Sequence, residues 1–321
     1  MPMFPFPLLP SVMANTANSS PGSRLPSPLL LAGAGLSSLA TLAYGITCLG
    51  LYQYQRKLIF RPLPQVLRTP AEVGITYEDV WIPVSTEGTG TLHGWWLPNP
   101  GSERVMLFFH GNYGNVSYNL ERIRYHHSLG FSVLAIDYRG YGHSTGTDNN
   151  GQVPTEQTTY ADAEAAWNFL TRERQVAPEC ITVCGHSLGG AIAINLATHH
   201  PNIGRLIIKS SFTTMEDAIY AKKLYRIFPI KQLLTEPFDS LKKVKRLKVP
   251  VLFVHGDQDP DVPPDMSEAL YQAAPEPKQL WLAPGADHNN ISQLTGDAYA
   301  QVVEAFCTNH QLRPKNQLQS V

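Results

Sequence analysis

Ser187, His288 and one of three aspartates, Asp257, Asp259 or Asp261, are the residues whose types and spacing suit nucleophilic catalysis. A serine hydroxyl attacks a carbonyl carbon only when a neighbouring base takes its proton, and that base needs a third group to orient it. Ser187 stands in Gly185-His186-Ser187-Leu188-Gly189, preceded by Ile181, Thr182 and Val183 and followed by AIAINLATHH. A β-branched apolar run, a Gly-x-Ser-x-Gly turn and a helix-forming run, in that order, make a nucleophile elbow. The glycines are a steric requirement: a Cβ at Gly185 or Gly189 is expected to collide with the neighbouring strand or helix. The turn lifts the Ser187 hydroxyl above the sheet, at the positive end of the following helix.

The partners of Ser187 must come from loops beyond the carboxyl ends of later strands, where ligands bind in a parallel α/β sheet. Two such loops follow the elbow. The run VPVLFVHG (249–256) leads into Asp257, Asp259 and Asp261, and KQLWLAP (278–284) leads into Asp287 and His288. Among eleven histidines, only His288 follows the final strand in a small-residue turn, PGADHNN, and it is the expected base. His126, His127, His199, His200 and His310 fall on helices or termini. His186 is adjacent to Ser187, so its side chain should point elsewhere. His110 and His255 end strands before a glycine and are assigned to shaping turns. Asp259 lies far enough past its strand to curl towards His288, whereas Asp257 and Asp261 read as loop-capping residues. Asp287 is adjacent to His288 on a tight turn, where side chains diverge. Oxyanion donors are expected from the backbone N–H of Leu188 and from the loop after MLFFHGN, with Asn112 first and Tyr113 next. The alternative for His-Gly-Asn is a plain strand-ending turn.

These loops need a sheet to hold them. YEDVWIPV (77–84) and TLHGWWLPNP (91–100) read as antiparallel edge strands, and RVMLFFHGN (104–112) and FSVLAIDYRG (131–140) as apolar strands separated by a helix over 117–129. YGHSTGTDNNGQVP is a loop by composition, 155–174 a helix of about five turns, RLIIKSSF (205–212) a strand, and 297–310 a closing helix. Residues 213–247 are helical and amphipathic without a strand, a small cap over the site. Apolar strands alternating with helices predict a mostly parallel α/β sheet covered on both faces. Lys209, charged in an apolar strand, is expected at its exposed end.

The 321 residues, 43% of them hydrophobic, suffice for one large domain with a sizeable core. A net charge of −1 gives no reason to expect nucleic acid as a partner. Lys242, Lys243, Lys245, Arg246 and Lys248 read as a solvated helix face. The four cysteines show neither metal spacing nor a disulfide framework, and Cys180 and Cys184 read as small buried hydrophobes. No metal or organic cofactor is implied. Residues 1–28, rich in Pro, Ser and Asn, read as a disordered leader, and 313–321 as a tail. The run 29–53 is uncharged, long enough to cross a bilayer, and followed by Arg56, Lys57 and Arg61. It is expected to be a retained single-pass anchor, with the catalytic domain (54–312) on the cytoplasmic side. A cleaved signal peptide is the rival reading; against it, the basic residues follow the apolar run and do not precede it.

Taken together, YQRKLIFRP (54–62), FFHGNYGN (108–115), AIDYRGYGHSTG (135–146), GHSLGG (185–190), the segment 238–264 and GADHNN (285–290) resemble the α/β-hydrolase family. Within it, the chain is similar to single-pass, membrane-anchored hydrolase-domain proteins with a short cap. The family pattern His-Gly-x-x-Asp-x-x-Val-Pro falls on His255, Gly256, Asp259, Val262 and Pro263, so the resemblance selects Asp259 as the acid. The turn carrying the histidine, Gly285-Ala286-Asp287-His288, is slightly longer than the family's Gly-His or Gly-x-His. The resemblance and the residues both lead to the same expectation, a serine hydrolase acting through Ser187, His288 and Asp259 on a small-molecule or lipid-like acyl ester or thioester. A peptidase or amidase on the same triad, and a membrane-tethered non-catalytic scaffold, are the alternatives.

Overall fold

Every residue of Ile181–His186 is buried, and the strand they form lies in the interior of the main sheet. The computed structural model describes residues 28–147 and 154–309. Of the expected leader (1–28), residues 1–27 lie outside the described residues, as does the tail (313–321), and Pro28 already belongs to a helix. Contacts divide the chain between Thr47 and Cys48 into two units. Helix α1 (Pro28–Ile59) enters the second, larger unit at Cys48.

The main sheet of that unit is built from β1 (Glu78–Val84), β2 (Thr89–Leu97), β3 (Val105–Phe109), β4 (Ser132–Ile136), β5 (Ile181–His186), β6 (Arg205–Lys209), β7 (Val251–Gly256) and β8 (Lys278–Ala283). Their order is β8-β7-β6-β5-β3-β4-β2-β1. From β4 to β8 all neighbours run parallel, while β1 and β2 pair antiparallel at the edge. Burial along β1 alternates, as one solvated face requires, whereas β3, β4, β5 and β7 are buried at every position.

The two cores follow from the period of two. Val105, Leu107 and Phe109 of β3 join one core, and Met106 and Phe108 the other. The first core is covered by α3 (Glu156–Asn168) and α4 (Leu188–His199), and the second by α2 (Leu120–Ser128). Within 213–247 lie α5 (Met215–Ala221), a 3-10 turn, and the short helices α6 (Ile230–Leu233) and α7 (Ser240–Val244), with no strand. Helix α8 (Asp265–Ala273) joins the first core, and α9 (Ile291–Thr308) closes the second.

Several expectations need correction. Within the expected loop 141–154, Thr145–Thr147 is a short antiparallel strand beside Thr89–Thr91, and 148–153 lie outside the described residues. The helix expected over 155–174 leaves α-geometry after Asn168 and ends in a π-helical turn, Phe169–Glu173. The closing helix is kinked at Gly296, where φ is 30° and ψ −104°, so a short helical segment from Ile291 precedes the part that begins at the expected 297. Lys209 is not at an exposed end: it is 2% exposed, with Nζ lying 4.4 Å from the centre of the Tyr299 ring. Cys184 is buried, but Cys180 is only half-buried. In the basic run only Lys243 departs from a solvated face, reaching Glu156 Oε1 at 3.2 Å and Tyr160 OH at 2.6 Å. The expected span 29–53 is helical, as part of α1, yet among the described residues no helix is long and apolar enough to cross a membrane.

Candidate active site

The elbow forms as its sequence requires. Ser187 has φ 55° and ψ −118°, in the left-handed half of the map that side chains seldom occupy. The strain is held by hydrogen bonds on both sides: Ser187 N donates to Lys209 O at 2.8 Å, and Ser187 O accepts from Gly190 N and Ser211 Oγ, each at 2.9 Å. A Cβ on Gly185 would strike the Gly189 carbonyl, and one on Gly189 would strike the Phe109 carbonyl. Both glycines are therefore sites of backbone-on-backbone packing. Ser187 precedes the first turn of α4, whose leading amides have no partner within the helix.

His288 Nδ1 lies 2.7 Å from Asp259 Oδ2, a buried contact between residues 29 apart in sequence. The other carboxylate oxygen accepts the backbone amides of Asp261 (2.8 Å) and Val262 (2.9 Å). Oδ2 also meets His255 Nε2 at 3.0 Å. Burial works to raise the Asp259 pKa, but the hydrogen bonds from His255 and His288 outweigh it and hold the carboxyl well below its ordinary range. An ionised Asp259 fixes the His288 tautomer with hydrogen on Nδ1, which leaves the Nε2 lone pair available as a base.

His255 thus does more than end a strand. Its Nε2 faces two acceptors, Asp259 Oδ2 and Val262 O (2.9 Å), so it carries the hydrogen, and Nδ1 accepts from Ser267 Oγ at 2.6 Å. The sequence signal was available: His255 and Asp259 sit four residues apart at the start of one loop.

Of the other aspartates, Asp257 and Asp287 accept loop amides, whereas Asp261 makes an ion pair. Asp257 Oδ1 accepts Gly285 N, and Asp261 pairs with Lys222 at 3.0 Å. Asp287 accepts the amides of Asn289 and Asn290, and so shapes the turn that carries His288. His110 Nδ1 donates to Gly111 O at 2.7 Å, in keeping with a turn-shaping role. The His186 ring centre is 5.0 Å from that of His288. Burial, reinforced by the positive charge of Arg122, holds His186 well below the ordinary histidine range, so it stays neutral beside His288.

The loop after β3 comes up against Ser187: a Cβ on Gly111 would sit 3.4 Å from Ser187 Cβ. Asn112 is fixed on three sides. Its Nδ2 donates to Ile59 O at 2.8 Å, and its carbonyl accepts Arg61 N and Tyr141 OH, each at 2.8 Å. Ser187, Leu188, Asn112, Tyr113 and His288 all line one cavity of about 820 Å³. Asp259 stands behind His288, 7% exposed. Among the described residues no cluster of His, Cys, Asp or Glu has the arrangement to hold a metal ion.

Comparison with known proteins places this architecture. Residues 101–241 match the family model described as serine aminopeptidase S33, and 219–320 match one described as PhoPQ-activated pathogenicity-related protein. The Mycobacterium tuberculosis protein Rv2307c is 34% identical over 274 residues, covering 84% of this chain and 92% of that protein. Protein bem46 of Schizosaccharomyces pombe is 32% identical over 289 residues, covering 86% and 93%. The Saccharomyces cerevisiae membrane protein YNL320W is 27% identical over 285 residues, covering 85% and 94%. Among solved structures, the Pyrococcus furiosus esterase Pf2001 superposes with a TM-score of 0.65 at 22% identity, covering 77% of this chain and 97% of that one. The α/β hydrolase domain-containing protein WAV2 of Arabidopsis thaliana is 31% identical over 244 residues, covering 70% of this chain and 77% of that protein, and the chain belongs to the α/β-hydrolase family.

Proposed function

We propose that the protein is a serine hydrolase that cleaves carboxylic ester or thioester bonds of acyl substrates. The observation that carries the reading is the buried 2.7 Å contact between His288 Nδ1 and Asp259 Oδ2 behind a cavity that Ser187 also lines. In the proposed reaction Ser187 Oγ attacks the acyl carbon as its proton passes to His288 Nε2. The amides of Leu188 and Asn112 bind the oxyanion. The tetrahedral intermediate collapses, the C–O or C–S bond breaks, and His288 returns the proton to the departing oxygen or sulfur. Water, deprotonated by His288, then attacks the acyl-enzyme and releases the carboxylic acid. Asp259 stays ionised throughout and stabilises the imidazolium.

Peptide or amide cleavage on the same triad is the second reading, favoured by the serine aminopeptidase description of the family model over 101–241. Parallel turnover of an acyl ester and the matching anilide separates the two. The ester reading requires ester hydrolysis that Ser187→Ala abolishes, with the anilide slower by orders of magnitude. Anilide turnover as fast as the ester's would move the peptidase reading to the front.

Membrane attachment through 29–53, with the catalytic unit on the cytoplasmic side, belongs to the same proposal. Its support is the uncharged run followed by Arg56, Lys57 and Arg61, the exposure of Leu39, Leu42, Ile46 and Leu49 on α1, and the yeast relative named as a membrane protein. Retention of the full chain in carbonate-washed membranes tests attachment; recovery of the chain in the soluble fraction would exclude it.

A further inference from the structure

We propose that the end of α1, from Leu51 to Ile59, is part of the substrate site, and that Leu51 and Leu58 set its preference for a long acyl chain. The inference rests on the hydrolase reading above and deepens it. The catalytic cavity is lined by Leu51, Gln55, Leu58 and Ile59, spaced i, i+4, i+7 and i+8, which is one stripe of a helix. The 213–247 segment and its approach supply further lining, including Phe212, Met215, Ile219, Ile230 and Leu233, together with Lys222. Apart from Lys222, which is paired with Asp261 at 3.0 Å, these side chains offer no charge to a ligand. A hydrogen-bonded polar group lies beside the base: Arg122 Nη2 donates to Asn289 Oδ1 at 2.7 Å and Arg122 Nη1 to Asn119 Oδ1 at 3.0 Å, and Asn289 follows His288 directly. A site with an apolar compartment on one side of a nucleophile and hydrogen-bonding groups at its base suits an acyl chain on the first and a polar leaving group at the second.

The helix is built into this wall. Gln55, 8% exposed, donates through Nε2 to Leu233 O at 2.9 Å and accepts Thr235 N at 2.7 Å. Arg56 Nε lies 2.7 Å from Glu236 Oε1, and the other oxygen of Glu236 accepts the first amide of α3, Glu156 N, at 2.6 Å. The helix end is also tied to the loop after β3 through Ile59 O and Asn112 Nδ2. The segment that sequence assigns to anchoring therefore continues into the acyl wall, and chain-length selectivity resides on it as much as on the cap.

The test is kcat/KM of the full-length protein in detergent across p-nitrophenyl acetate, butyrate, octanoate and dodecanoate. For the wild type, kcat/KM rises with chain length, by up to about three- to fourfold per buried methylene. Leu51→Trp and Leu58→Trp, which fill the compartment, lower the dodecanoate value at least about tenfold and leave acetate within about twofold. Tyr52→Trp, on the same helix but outside the cavity lining, leaves the whole profile unchanged. A wild-type preference for acetate, or a uniform loss at every length in both tryptophan variants, overturns the proposal while Ser187-dependent acetate turnover leaves the hydrolase reading standing. Absence of turnover at every length, together with no reaction of Ser187 with a fluorophosphonate, overturns that reading and this inference with it.

Discussion

His255 and His288 share one carboxylate oxygen: Asp259 Oδ2 lies 3.0 Å from His255 Nε2 and 2.7 Å from His288 Nδ1. Of these two histidines only His288 lines the cavity with Ser187, so in the proposed mechanism His255 acts on the base through the acid. The acid is thereby held by two imidazoles and two backbone amides, and its remaining freedom is small.

Replacement of His255 by phenylalanine keeps ring volume but removes one donor from an ionised, buried oxygen. Hydrogen bonds to charged groups contribute about 1.5–3 kcal/mol. The expected outcome is a kcat lower by about tenfold to a hundredfold with KM unchanged. Ser267→Ala, one contact further out, should change kcat by less. Steady-state kinetics on a chromogenic ester check the order of these effects, and equal losses would contradict it.

Asp259→Asn retains shape but not charge. An amide at this position no longer enforces the tautomer with hydrogen on His288 Nδ1, and kcat should fall by about 10³–10⁴. Residual activity within tenfold of the wild type would mean that another group orients His288.

Gly189→Ala places a methyl group against the Phe109 carbonyl, where neither backbone can yield. The variant should lose about 1–3 kcal/mol or more of stability in urea unfolding. Any folded fraction should lose most of its hydrolase activity, because the elbow can make room only by moving Ser187.

Lys209 supplies the pH-dependent prediction. Burial pushes its amine down from 10.5 to about 8. Because the native value is the lower one, the unfolded chain binds more protons between about pH 8 and 10.5, and stability rises with pH across that window. Below pH 8 the penalty is complete, on the order of 3 kcal/mol. Lys209→Met should therefore be more stable than the wild type at pH 7, with the gain shrinking towards pH 10.5. Urea titrations at pH 7 and pH 10 measure it; a variant destabilised at pH 7 would mean that the ammonium over Tyr299 is net favourable.

Much of this was legible in the chain itself, because local patterns carried it. The strand, Gly-x-Ser-x-Gly and helix of 181–199 state an elbow within one window, and Asp259 and His288 follow apolar strands whose ends can be read from composition. What stayed hidden depends on distant partners. Nothing near Lys209 in sequence says that Tyr299 will cover it, so a charged residue in an apolar strand read as an exposed end. His255 precedes a glycine and looked like a turn residue, and its bond to Asp259 required the loop to curl back. The hydropathy of 29–53 named a span, but the lining of a cavity by Leu51 and Leu58 depends on 213–247 folding against them.

The central claim is that Ser187 is an activated nucleophile, and reaction of the full-length protein with a fluorophosphonate tests it most directly. The account predicts stoichiometric labelling, mapped by peptide mass spectrometry to Ser187 and absent in Ser187→Ala. Folded wild-type protein that stays unlabelled, or that is labelled at another residue, would contradict it.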